Sequence, residues 1–426
     1  MKFLHTSDWH LGRKLHGADL TEAFEAWADF LVRTAERERV DAVLVSGDVY
    51  DRGIPGVAMV SLLSALLARL SEFTTVILTA GNHDSARRLG FGSAIMRPEI
   101  IIRTDPQRVG EPIVLRDSSG EVGAIVYALP YLDPTTVRDA LSSDPEQPLA
   151  RTHEAVVGAA LELVREDVLH GEFSVSKYPD VPRIVMAHEF VVGGEPSDSE
   201  LNIQIGGVDS VPSGLFALRE SESGPLAIDY VALGHLHGPQ RVGKTGDPLM
   251  RYAGSPIAFS FSEQAHHKSV AIVEFGAGDG EGAGDGEGAG RAGGSGRAGG
   301  SGRAPSVRLI EVPQQRKLAT VTDTFEQLIS GAYEKYADYY VRAQVTDPER
   351  PLNMFARLRK VFPYLLVGEH IGKAERTVVS SAAQKSVDPI EMLAKFFADN
   401  GVRELSNDEL GIVREVWEDS QRQGEQ

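Results

Sequence analysis

Apolar positions along this chain fall into two recurring patterns. Short unbroken runs at residues 2–7, 42–45, 75–79, 124–129, 183–187 and 228–233 read as buried β-strands. Between them the period lengthens. Phe24, Trp27, Ala28, Leu31 and Ala35 recur on one helical face. Residues 57–70 place Val57, Val60, Leu63, Leu66, Leu67 and Leu70 on a broad apolar face, and residues 149–170 also read as a helix. Strands alternating with helices predict an α/β fold. Each of five strands ends in a small residue and then a polar cluster, at Asp8, Asp48, Asn82, His188 and His235. Open α/β sheets place their ligands at such C-terminal strand ends.

The pattern breaks over residues 276–305, where AGDGEG and RAGGSG units replace nearly every large apolar residue. That composition cannot bury enough surface to offset chain entropy, so it reads as a flexible linker. Residues 306–313 read as a strand returning to the first sheet. The larger block is thus 1–275, followed by a smaller α+β unit over 314–385. There Asp323 with Glu326 suggests a capping box opening a short helix. Strands are expected at 339–346 and 364–371, with a helix at 352–362 stopped by Pro363. The segment 386–426 predicts two amphipathic helices, 389–400 and 407–420, separated by Gly401. On them Phe396, Phe397 and Trp417 are candidate partner-binding anchors.

A chain of 426 residues needs at least two domains, and 42% hydrophobic with 24% charged residues is an ordinary globular composition. The absence of cysteine removes disulfides, thiolate metal sites and a Cys nucleophile, and fits a reducing, cytoplasmic setting. Asp8 interrupts the first residues before a signal-peptide core could form, and no apolar run approaches the roughly 18 residues of a membrane span. A net charge of −18 argues against coating nucleic acid by bulk positive charge. It leaves room for phosphate held locally through metal ions.

The strand-end clusters carry the chemistry. Asp8 and His10 form a D-x-H pair that a strand would point to one side. Asp48 offers a carboxylate able to bridge, and Asn82, His83 and Asp84 add an amide oxygen, an imidazole and a second carboxylate. His188, His235 and His237 add further imidazoles, the last two expected on one side of an extended segment. One such histidine alone is better read as a packed or surface residue; the ordered series is a candidate site for divalent ions. Mixed oxygen and nitrogen donors suit a borderline ion such as manganese.

The order D-x-H, GD-x-x-D, GNHD, H, GH-x-H resembles the calcineurin-like metallophosphoesterases. HTSDWHLG, GDVYDRGIP, AGNHDS, ALGHLH and YAGSPIAFSFSE resemble more closely the SbcD-type DNA exonuclease subunits within that family. The likeness is strong over about the first 275 residues and weaker beyond, and the Gly-rich stretch departs from it. It implies a two-sheet sandwich flanked by helices, with a smaller α+β capping domain and C-terminal helices. It implies one ion held by Asp8, His10, Asp48 and His237, and a second by Asp48, Asn82, His188 and His235, hydrolysing a phosphodiester by two-metal catalysis. His83 would contact the phosphate and protonate the leaving oxygen, with Asp84 orienting its ring.

The same resemblance implies a manganese-dependent nuclease acting on DNA, at duplex ends from the 3′ side and at hairpins. Its partner would be an SbcC-type ABC ATPase gripped by the C-terminal helices, in a heterotetramer containing a homodimer of this chain. In the family the helical region corresponding to residues 57–70 pairs two subunits. Arg13, Lys14, Arg52, Arg87 and Arg88 flank the motifs and are candidates for gripping neighbouring phosphates. The competing reading is a small-molecule phosphodiesterase or phosphomonoesterase, which would need neither cap nor C-terminal helices.

Overall fold

The computed structural model describes residues 1–144, 146–197, 210–219, 226–276, 305–372, 406 and 409–411. Met1–Ile371 form one compact unit and Gly372–Gln426 a second.

In the first unit the apolar runs become parallel strands. β1 (Lys2–Thr6), β2 (Ala42–Ser46), β3 (Thr75–Thr79) and β4 (Ile100–Arg103) lie side by side in one sheet. β5 (Ile113–Arg116), β6 (Val122–Ala128), β7 (Arg183–His188), β8 (Tyr230–Gly234), β9 (Gln240–Val242) and β10 (Leu249–Tyr252) build a second. There β6, β7, β8 and β10 are parallel, with antiparallel β5 and β9 at the edges. The chain then returns to the first sheet. β11 (Ser269–Glu274) pairs antiparallel with β1, and β12 (Ser306–Glu311) antiparallel with β11.

Successive residues of each strand feed opposite faces. Leu4, Val43, Val45, Val76 and Leu78 pack outward under α1 (Thr21–Glu38) and α2 (Val57–Leu70). Phe3, Leu44, Ile77, Ile184 and Tyr230 fill the layer between the sheets, with small residues Ala42, Ala124, Ala232 and Ala271 letting the sheets close. The second sheet's outer face packs on α5 (His153–His170); the short α3 (Ala86–Leu89) and α4 (Pro134–Val137) precede it in sequence. Thr152 caps α5 through its side-chain oxygen, so this helix begins after residue 149.

The apolar face expected on α2 divides. Leu63, Leu66, Leu67 and Leu70 are core, and Met59 joins them, while Val57 and Val60 face solvent.

The smaller unit of sheet, β13 (Leu318–Asp323), β14 (Tyr340–Val345) and β15 (Leu365–His370), is wholly parallel. Each crossover carries a helix, α6 (Phe325–Ile329) and then α7 (Met354–Val361), as parallel pairing demands. The capping box expected at Asp323 and Glu326 is displaced by one residue. Thr324 caps α6 by accepting from Gln327 N–H, and Asp323 instead accepts from the Tyr333 hydroxyl. Tyr340, Leu318, Tyr364 and Leu366 pack this sheet onto the α1 side of the first core. Gln264 also accepts from Thr320 N–H at 2.9 Å.

In the second unit Ser406 and Glu409 form a reciprocal capping box, Ser406 N–H donating to Glu409 at 2.9 Å and Glu409 N–H to the Ser406 hydroxyl at 3.4 Å. Phe396, Phe397 and Trp417 lie outside the described residues. No described helix is long and apolar enough to cross a membrane.

Candidate metal centre

The C-terminal ends of β1, β2, β3, β7 and β8 deliver their polar clusters to one place between the sheets. Asp8, His10 and His237 form one group of converging donors, and Asp8, Asp48 and His188 another. His10, Asp48 and His83 form a third, and within each group the donor atoms lie within 4.8 Å of one another. Asp8, His10, Asp48, His188 and His237 are all buried.

Convergence comes from backbone bends and not from strand alternation. β1 ends at Thr6, so Asp8 and His10 lie beyond it with left-handed φ of 53° and 44°. Asp48 has φ 50° and His235 φ 106°. Non-glycine residues seldom adopt such angles, and here four candidate ligands do. Trp9, wholly buried, pins the first loop by donating to the Thr6 hydroxyl at 3.0 Å. His235 and His237 do not share one side of a strand. His235 Nδ1 stands 3.2 Å from Asn82 Oδ1, while His237 Nε2 stands 3.1 Å from His10 Nε2.

Two glycines make room. A Cβ on Gly47 would fall 2.2 Å from His188 Nδ1, and one on Gly81 would fall 2.1 Å from Asp48 Oδ1. Any side chain at either position would displace a candidate ligand.

The donor set fits divalent cations. His188 Nδ1 donates to the Ser46 carbonyl at 2.8 Å, which leaves its Nε2 lone pair facing Asn82 Oδ1 at 3.0 Å and Asp48 Oδ2 at 3.4 Å. Lone pairs thus face lone pairs, which burial makes unfavourable unless a proton or a cation lies among them. Burial pulls His10 well below the ordinary imidazole range and His235 down to about 3, leaving both neutral and able to ligate. For His188 burial acts in the same direction, but the Asp48 and Asp8 carboxylates outweigh it and raise the ring to about 10. The negative charge concentrated here therefore holds a proton on His188, and a bound cation would take that proton's place.

Asp48 lies at the centre. Its Oδ2 is 3.5 Å from His10 Nε2 and 3.4 Å from His188 Nε2, while Oδ1 accepts from His83 N–H at 2.9 Å. Asp8 is tied to the Ser7 hydroxyl at 2.5 Å and to His235 N–H at 3.0 Å.

Asp84 does not hold the His83 ring. Its carboxylate accepts from Val49, Tyr50 and Gly81 N–H at 3.0, 2.9 and 2.9 Å, locking the loop after β2 to the loop after β3. Burial and the Asp48 charge push it up to about 7 against those three bonds. The His83 ring is held instead by the Asp51 carbonyl, 3.0 Å from Nδ1. Its edge meets His10 with ring centres 4.7 Å apart.

Of the basic candidates, Arg13 reaches the centre, its guanidinium 5.1 Å above the Phe259 ring that also contacts His10 and His237. Lys14, Arg52, Arg87 and Arg88 are exposed, with Arg88 donating to the Gly53 carbonyl at 2.9 Å.

Sequence reading passed over several neighbours. Asp51 lies in GDVYD and Glu263 in SPIAFSFSE, so the motifs contained them without assigning them a role. Tyr131, His153 and Glu189 carried no signal. Nevertheless His153 Nδ1 lies 2.9 Å from buried Glu189, and the Tyr131 ring stands 6.2 Å from His188.

The calcineurin-like phosphoesterase family model matches residues 1–239. The SbcD component of the nuclease SbcCD from Bacillus subtilis is 35% identical over 283 residues, 66% of this chain and 67% of that protein. Two solved structures align at low identity. TT1561 of Thermus thermophilus has 14% identity and a TM-score of 0.34, covering 63% of this chain and 92% of that one. A dimetal phosphatase from Danio rerio has 12% identity and a TM-score of 0.36, covering 64% and 94%. The two-sheet fold, the His/Asp cluster at its strand ends and the match over more than half its length agree: this chain belongs to the calcineurin-like phosphoesterases, a family of divalent-metal enzymes, and to their SbcD-like branch.

Proposed function

We propose that this chain is a manganese-dependent DNA nuclease subunit that hydrolyses phosphodiesters at a two-ion centre. The observation that carries the reading is Asp48 Oδ2, set between the imidazoles of two donor groups, 3.5 Å from His10 and 3.4 Å from His188. Asp8, His10, Asp48 and His237 would hold one ion, and Asp48, Asn82, His188 and His235 the other. Bound ions supply Lewis acidity at phosphorus and a nucleophile available at neutral pH. The chain's own residues do the rest. His83, less buried than Asp8, His10 and Asp48 and steadied by Asp51, donates a proton to the leaving oxygen. Arg13, held over Phe259, orients the adjoining phosphate, and Lys14, Arg52, Arg87 and Arg88 extend the grip outward.

The relative from Bacillus subtilis is named as part of the nuclease SbcCD. On that basis the partner here is an SbcC-type ATPase, bound through Phe396, Phe397 and Trp417. DNA ends from the 3′ side and hairpins are the substrates, with two copies of this chain in the assembly. The test is to incubate the purified chain, alone and with its ATPase, with labelled hairpin DNA and with a chromogenic phosphodiester in manganese. Metal-dependent hairpin cleavage is expected. Hydrolysis of the chromogenic ester with hairpin DNA left intact in both settings would assign the chain to small-molecule phosphodiesters.

A further inference from the structure

Behind His237 stand two buried charges that the chemistry above leaves unused. Glu263 and Lys268 are 1% and 2% exposed. Lys268 Nζ donates to Glu263 Oε2 at 2.5 Å, to the Ser255 hydroxyl at 2.8 Å and to the His237 backbone carbonyl at 2.9 Å. Glu263 Oε1 lies 3.3 Å from His237 Nδ1. His237 is therefore gripped at both ends, its ring by the carboxylate and its backbone by the ammonium, and the two grips are tied to each other.

This support differs in kind from that of two neighbouring imidazoles. His188 and His83 lean on neutral backbone carbonyls, Ser46 at 2.8 Å and Asp51 at 3.0 Å. A carboxylate fixes the ring with Nδ1 protonated and Nε2 free, and it raises the basicity of that free nitrogen. Nε2 is the atom that faces His10, 3.1 Å away. A buried ion pair is a weak source of net stability, because desolvation offsets its attraction. Lys268 pairs with Glu263, so the two side chains together add no net charge to the centre.

We propose that Glu263, balanced by Lys268, is a positioning residue for His237: it sets the ring's tautomer and orientation and strengthens this nitrogen as a ligand for one of the two ions. The inference rests on the two-ion reading of the site. It extends to residues 263 and 268, which none of the metal-binding motifs includes.

The test is calorimetric titration of Mn²⁺ into the full chain, with thermal melts in chelator alongside. Glu263→Leu combined with Lys268→Met removes both charges and keeps the buried volume. Glu263→Gln removes the carboxylate charge at nearly unchanged volume and serves should the double variant not fold. The expected result is a 10–100-fold weaker affinity for one of two ions, the range typical of lost outer support, with the other ion held as in the wild type. Binding of both ions within twofold of wild type would overturn the proposal. So would equal weakening of both ions together with a lowered melting temperature, or failure of both variants to fold, since each outcome makes the pair structural. A wild-type chain that does not bind two ions would count against the proposed function instead.

Discussion

At the residue scale, His83 occupies an ambiguous place. It belongs to a donor triad with His10 and Asp48, yet its Nδ1 is taken up by the Asp51 carbonyl at 3.0 Å. A ring steadied in that way suits proton donation to a leaving oxygen. His83→Ala should therefore retain metal binding and lose about 10²–10⁴-fold in single-turnover cleavage, the range for a proton donor. Lost metal would make His83 a ligand, and near-normal cleavage would make it a bystander. The grouping of the candidate ligands was legible in the sequence, since each one named from the motifs reaches the one centre between the sheets. How they get there was not. Alternation along a strand was expected to aim Asp8 and His10 together, but both lie past the end of β1 on left-handed backbone. Local periodicity carries no information about such bends, because they are imposed by contacts distant in sequence, such as Asp8 N–H to the Gly47 carbonyl at 3.1 Å. The same gap misplaced Asp84, whose oxygens serve the backbone of residues 49, 50 and 81.

At the element scale, the strands that carry the candidate ligands and the long helices were readable from their unbroken apolar runs and periods. Other features were missed. β4, β5, β9, β10, β11 and β13 were not anticipated; in β13, Leu318–Asp323 alternates with threonines and a single aspartate that dilute the signal. The cap of α6 fell one residue later than expected, because Thr324 and Asp323 are both competent and only the turn geometry decides between them. The face of α2 looked uniform, yet only one side of it meets the sheet. The connection between β11 and β12 runs through the Gly-rich stretch, of which residues 277–304 lie outside the described residues. Glu274 pairs directly with Ser306, so the chain leaves and re-enters at adjacent points of the ladder. Deleting residues 278–302 leaves a short loop across that gap, and closure entropy changes only slowly with loop length. Melting temperature and cleavage should stay close to those of the full chain. A large fall in melting temperature would show that the Gly-rich stretch packs.

At the scale of the whole molecule, the division of α2 changes how self-association must be tested. Leu66 is 1% exposed and belongs to the core, so a charge there would unfold the chain and say nothing about pairing. Among the exposed apolar residues, Val57 is at 83%, and Phe91 at 84% and Ile95 at 89% follow the segment that Arg88 ties to Gly53. If the proposed pairing uses this region, exposed apolar residues such as these would carry it. Val57→Asp with Phe91→Asp should convert a dimer to a monomer in light scattering at micromolar concentration without lowering the melting temperature. A wild-type chain that is already monomeric would contradict pairing through this face. The central claim, however, is the shared carboxylate, and one measurement addresses it most directly: calorimetric titration of Mn²⁺ into wild type and Asp48→Ala, with circular dichroism to establish folding. If Asp48 serves both ions, the wild type binds two per chain and the folded variant loses both tight binding events along with its nuclease activity. Unchanged stoichiometry and affinity in the variant would contradict the bridging role.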